Sequence, residues 1–178
     1  MAIERAGRVQ VLKYSPELFV SGKVGTKGSR ETDFVYFSDF LKSSTDQVFT
    51  VKGPKGSGKS WFLSEANRRS RVDYDSDQGK KPFPLLMDLN ATSLKQLPKV
   101  LETLNQQITK YNGNVVLFVD GTGANTKDRF DKTEKVENEL LGPQEPNQQF
   151  KVVIAQENKP PFPFSKRYLI NVALVGKS

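Results

Sequence analysis

Residues 53–60 read GPKGSGKS. The stretch satisfies the spacing G-x-x-x-x-G-K-[ST] at every fixed position, a pattern whose chemistry is the cradling of phosphate. In such a loop, successive backbone N–H groups converge on a concavity at a helix N-terminus, where unpaired amides and the helix dipole favour an anion. Gly53, Gly56 and Gly58 allow a close backbone approach that a β-carbon would block. Pro54, Lys55 and Ser57 fill the variable positions, and Trp61 follows directly as part of the same binding segment. Lys59 would supply a point charge to the β- and γ-phosphates, and Ser60 a hydroxyl ligand to Mg²⁺.

Such a loop needs a second element, an acidic residue closing another buried strand, to hold the metal's water shell. Asp120, at the end of NVVLFVD (114–120), fits that place. The competing reading is that Asp120 only begins a turn, since Asp-Gly is a common turn dipeptide. Asp88 in LLMDLN is the rival carboxylate, ranked second because it lies inside its apolar run.

These groups need a frame, and the chain supplies an alternation of strand and helix patterns. Phe34, Phe37, Phe40 and Leu41 recur at helical spacing over 30–44. A first strand is expected at 47–52, ending in the loop, with a helix over 59–69 after it. The polar 71–81 reads as a surface loop and 83–91 as a second strand. Residues 93–111 predict a helix on the spacing of Leu94, Leu97, Leu101, Leu104 and Ile108, with Ser93 or Thr92 as N-cap and Pro98 near its start. Residues 114–120 form a third strand, apolar throughout, as expected of a strand covered on both faces. A polar helix over 127–142, a fourth strand at 150–156 and a fifth at 167–175 complete the series. The expected fold class is α/β, a mostly parallel five-stranded sheet with helices on both faces. Val9–Leu12 could form a short strand, but residues 1–29 read as an N-terminal extension of uncertain structure. Residues 30–178 form the phosphate-loop domain.

Composition narrows the chemistry. The 178 residues suit one α/β domain, with 36% apolar and 26% charged residues. No apolar run approaches the roughly 18 residues needed to cross a bilayer. The first ten residues, MAIERAGRVQ, lack the apolar core of a secretory signal, so an intracellular, cytoplasmic setting is expected; a processed secreted effector would read the same. With neither cysteine nor histidine, catalysis falls to carboxylates, Lys, Arg, hydroxyls, backbone amides or a hard cation. The net charge of +7 favours polyanions, whether nucleotide or nucleic acid, although a generically basic surface reads the same way.

Between Lys59 and Asp120 lie a helix, a strand and another helix, so one extra strand separates the two motif strands. In this the chain resembles the additional-strand phosphate-loop ATPases, which include the AAA+ and STAND families. VVLFVDG looks most like the NACHT-type STAND pattern of four apolar residues followed by Asp-Gly. The resemblance covers about residues 30–175. It implies the sheet order 5-1-4-3-2 and bound ATP with Mg²⁺. By the same resemblance, Gln156 at the end of the fourth strand would sense the γ-phosphate, and Glu157 could approach it. Chain and family differ in three places. Gly121 stands where AAA+ proteins usually carry the glutamate that polarises water. Gly123-Ala124 replaces the NACHT acidic pair, and Asp128 and Asp131 have no clear aim. The helical lid, which would follow 167–175, is expected to be absent. Arg129 and Arg167 are candidate transition-state stabilisers.

The favoured expectation is an ATP- and Mg²⁺-binding domain with slow or partner-dependent hydrolysis that switches conformation or assembly. A protein partner or a second copy would complete the site. The alternatives are a small-molecule or nucleotide kinase and a non-hydrolysing interaction module, associated with nucleic acid or part of an effector protein.

Overall fold

The computed structural model describes residues 3–6, 9–13, 31–43, 48–52, 58–122, 126–140 and 150–156. Strands β1 (Ile3–Ala6) and β2 (Val9–Lys13) come first, then helix α1 (Glu31–Lys42). Three β/α pairs follow: β3 (Val48–Lys52) with α2 (Lys59–Ser76), β4 (Phe83–Asp88) with α3 (Leu97–Lys110), and β5 (Val115–Thr122) with α4 (Lys127–Leu140). Strand β6 (Lys151–Gln156) ends the series.

The strands form one sheet in the order β1-β2-β3-β6-β5-β4. All neighbours pair in parallel except the edge pair β1–β2. The class is therefore α/β with a mostly parallel, helix-flanked sheet. Among the described residues the sheet has six strands where five were expected, and the outer neighbour of β3 is β2; the strand expected at 167–175 lies outside the described residues. The sequence obscured this because a five-residue strand carries no sign of which strand it joins.

Side chains alternate across a strand, so each strand feeds both faces. On one face, Phe49, Val51, Val116, Phe118, Val153 and Ala155 meet α1 and α2 through Phe34, Phe37, Phe40, Phe62, Leu63 and Ala66. On the other, Val48, Leu117, Val119, Val152 and Ile154 join Leu97, Leu101 and Leu104 of α3 and Val136 of α4. The inner strand β5 is buried from Val115 to Val119, which explains its unbroken apolar sequence. Lys151 is also buried, and it ties α1 to β6. Its Nζ donates to the Ser43 carbonyl at 2.8 Å, at the negative end of α1, and lies 4.7 Å from the centre of the Phe40 ring.

Two helices have bounds well away from the sequence reading. Helix α2 runs on to Ser76 through residues read as loop. The Arg71 guanidinium lies 4.5 Å from the Phe83 ring centre, and Tyr74 packs edge-on to Phe83 and Tyr111. These partners are distant in sequence, so local polarity hid the helix. Helix α3 begins at Leu97, four residues later than expected. Ser93 caps the turn before it: its Oγ accepts the Gln96 N–H and Gln96 Oε1 accepts the Ser93 N–H, both at 3.2 Å. This is the reciprocal pairing of a capping box.

Candidate functional site

In an open parallel sheet, ligands bind outside the carboxyl ends of the strands. Lys52, Asp88 and Gln156 end β3, β4 and β6 there, Asp120 stands near the end of β5, and α2 starts above β3.

Helix α2 starts at a left-handed glycine. Gly58 caps it with φ 94° and ψ 19°, a left-handed conformation that glycine adopts without strain. Gly58 brings no side-chain cap of its own, and no acidic residue occupies the first turn of the helix. The first intrahelical bond runs from the Phe62 N–H to the Gly58 carbonyl at 3.0 Å. The N–H groups before it have no carbonyl of the helix to bond. Lys59 is half-buried and Ser60 exposed, and both stand in that first turn. Trp61 meets Phe34 edge-on at 6.0 Å, so it anchors the turn to α1. Phe62 stacks on Phe34 at 5.0 Å.

Asp120 and Asp88 are register partners on adjacent parallel strands. Alternation puts both on the face that also carries Phe118 and Val116, which is the face packed by α2. The half-buried Asp120 accepts the Gly121 N–H on Oδ1 at 2.9 Å. Asp88 is exposed and accepts the Asn90 N–H on Oδ1 at 2.9 Å. The sequence reading set Asp88 inside its strand. The structure corrects this: Asp88 is the last residue of β4. Leu89 prolongs the apolar run in sequence, but its N–H already turns to the Asp120 carbonyl at 2.9 Å.

Helix α4 holds the turn after β4. Thr126 caps it, its Oγ1 accepting the Arg129 N–H at 3.1 Å. Arg129 Nη2 donates to Asn90 Oδ1 at 2.8 Å. Three residues on, the buried Lys132 donates to the Leu89 carbonyl at 3.0 Å and pairs with Asp128 at 2.9 Å. Asn90 and Lys132 were not anticipated. Their partners lie 39 and 43 residues away, and only a cationic pair at i, i+3 hinted at a role.

Of the other expected site residues, 53–57, Glu157 and Arg167 lie outside the described residues. Gln156 closes β6 and pairs in register with Lys52 and Thr122. Among the described residues no group of three His, Cys, Asp or Glu could hold a metal unaided. A cation ligated by Ser60 and Asp120 would have to draw further ligands from phosphate and water. A groove of about 520 Å³, lined by Pro98, Glu102, Asn105, Gln106, Thr109 and Glu139, lies along α3 and α4, on the opposite face from α2. No helix among the described residues is long and apolar enough to cross a membrane.

Protein-family models, curated proteins and solved structures were compared with this chain, and none matches it.

Proposed function

We propose that this chain is a phosphate-loop nucleotide-binding domain that holds ATP with Mg²⁺ and hydrolyses it slowly or with a partner's help, as a switch of conformation or assembly. The carrying observation is the start of α2, where Lys59 and Ser60 follow the left-handed Gly58 as the loop pattern requires, on the sheet face that also bears Asp120 and Asp88. In this reading Gly53–Ser60 cradle the polyphosphate, Lys59 neutralises the β- and γ-phosphates, and Ser60 and Asp120 hold the cation's shell. The cation itself supplies charge neutralisation at the phosphate oxygens. Gln156, the last residue of β6, and Glu157, which follows it in sequence, are the candidate contacts to the terminal phosphate.

The sheet order supports the additional-strand branch. Strand β6 lies between β3, which leads into the loop, and β5, which carries Asp120. A kinase of the alternative type would place those two strands side by side. In the proposed reading, β3-β6-β5-β4 corresponds to 1-4-3-2 of that group, and β2 takes the outer place. The exposure of Ser60 and Asp88 fits a site that a protein partner or a second copy closes.

Titration of ATP with Mg²⁺ against wild type and Lys59→Ala tests the reading. Loss of a charge-assisted contact of about 1.5–3 kcal/mol should weaken binding roughly 10- to 100-fold. Equal binding by both proteins, or by neither, would sink the assignment. Mass spectrometry of nucleotide carried through purification would identify the base.

A further inference from the structure

We propose that the outer edge of β4 is the surface on which two copies of this chain pair, antiparallel and centred on Leu86. This pairing involves the sheet alone and is independent of nucleotide binding.

Strand β4 ends the sheet, and among the described residues no strand lies beyond it. Its inner side is committed to β5. Phe83 donates its N–H to the Asn114 carbonyl, and Leu89, just past the strand, donates to the Asp120 carbonyl, both at 2.9 Å. Backbone groups alternate in direction along a strand. Phe83, Leu85 and Met87 therefore face β5, while Pro84, Leu86 and Asp88 turn their backbone groups outward. Pro84 packs its ring on the face covered by α2 and is buried there. Leu86, at the centre of the edge, is 49% exposed. An open apolar edge of this kind is a template for another strand.

The pattern of outward groups says which strand. Pro84 has no N–H to give. The Asp88 carbonyl already accepts the Ala91 N–H at 3.2 Å and the Thr92 hydroxyl at 2.9 Å, which uses both its lone pairs. A two-fold axis through Leu86, normal to the sheet, sets Pro84 opposite the partner's Asp88. The missing donor thus meets the carbonyl that needs none. Every other outward group is matched: Leu86 exchanges both bonds with the partner's Leu86, and the Asp88 N–H donates to the carbonyl of the partner's Pro84. An unrelated strand on this edge would leave its carbonyl opposite Pro84, and its N–H opposite Asp88, without partners, which is costly once water is excluded. Charge selects the same direction. The exposed Lys80 and Lys81 precede β4 and the exposed Asp88 closes it, so antiparallel pairing brings a basic end beside an acidic end twice. The two Leu86 side chains fall on one face and cover each other. The product is a continuous sheet with six strands from each copy. So short an edge gives a weak dimer, with a dissociation constant on the order of 10–100 µM.

Sedimentation velocity of the full chain, from low to high micromolar concentration, tests the pairing. Wild type should pass from monomer to dimer. Leu86→Arg sets like charges against each other on the axis and should raise the dissociation constant at least about 10-fold, with the fold intact by circular dichroism because the residue is exposed. The chain has no cysteine, so Leu86→Cys introduces a single thiol. Opposed residues that exchange both bonds have Cα atoms about 5.5 Å apart, within reach of a disulfide. With diamide as the oxidant, Leu86→Cys should cross-link at least about 10-fold faster than Val72→Cys, a similarly exposed position on α2. A wild type that stays monomeric throughout would overturn the proposal, and a Leu86 amide protected from hydrogen exchange in that monomer would put another strand on the edge. A dimer that Leu86→Arg leaves intact would place the interface elsewhere. Equal cross-linking at the two positions would reduce the contact to random collision.

Discussion

On the face covered by α1 and α2 the core is aromatic, with Phe34, Phe37, Phe40, Phe49, Phe62 and Phe118 all buried together. On the face covered by α3 and α4 it is mostly aliphatic, built from Leu97, Leu101, Leu104, Leu117, Val119 and Ile154 with Phe150 among them. Phe62 is the ring that α2 contributes to the centre of the aromatic side: it stacks on Phe34 and Phe49 and meets Phe37 edge-on. Ring pairs have preferred geometries, whereas aliphatic side chains accept many packings of similar volume. Phe62 is also three residues beyond Lys59. The aromatic face therefore sets the orientation of the helix that carries the site, while the aliphatic face mainly buries area.

The sharpest test of this contrast is Phe62→Ala. Removing this ring should cost about 3–5 kcal/mol of stability by denaturant titration, and nucleotide affinity should fall even where the protein stays folded. Leu101→Ala on the other face should cost about 2–5 kcal/mol, with affinity unchanged in the folded protein. If both variants loosen nucleotide equally, the two faces do not differ in the way described. Gly121→Ala probes the junction between the site and α4. The positive φ at Gly121 and the close contact a β-carbon would make with Asn90 should together cost about 1–3 kcal/mol, read as a lower melting temperature.

The smallest expected effect lies on the exposed side of α2. There Glu65 accepts from Arg68 Nη2 at 2.6 Å and from Arg69 Nε at 3.2 Å. The hydrogen bond from Arg68, reinforced by that from Arg69, holds the Glu65 carboxyl below the usual glutamate range, against a partial desolvation. A lowered folded pKa gives stability that is present above the unfolded pKa and lost as pH falls through the folded one. Glu65→Gln should cost only about 0.3–0.5 kcal/mol near neutrality, and the difference from wild type should vanish in acid. A larger effect would mean that α2 is oriented from its outer face as well.

Strands β3, β4, β5 and β6 and helix α1 were legible because their apolar spacing is local. The G-x-x-x-x-G-K-[ST] pattern could be picked out because its residues are contiguous, and Asp120 because it ends an unbroken apolar run; the structure shows the places of Gly58–Ser60 and Asp120, and their chemical roles are the proposal made above. What the sequence hid depends on distant partners. The last two turns of α2 are polar, and only Phe83 and Tyr111, on other elements, show why they are helical. Val9–Leu12 was recognisable as a strand, but not as a neighbour of β3. Asp88 was misplaced because Leu89 is apolar, although it points into the core from a turn. The bond from Arg129 to Asn90 joins two ordinary polar residues whose meeting nothing in the local pattern requires.

Helix α2 has 18 residues and is therefore about 27 Å long. One end carries Lys59 and Ser60; the other carries Arg71 and Tyr74, seated on Phe83 and Tyr111 at the far rim of the sheet. It is a lever with its fulcrum at Phe62, close to the loaded end. A tilt of about 5° there displaces the far end by about 2 Å, which is enough to unseat a ring from its partner. Under the proposed function, phosphate bound at the short arm would be read out as movement at the far rim of the sheet.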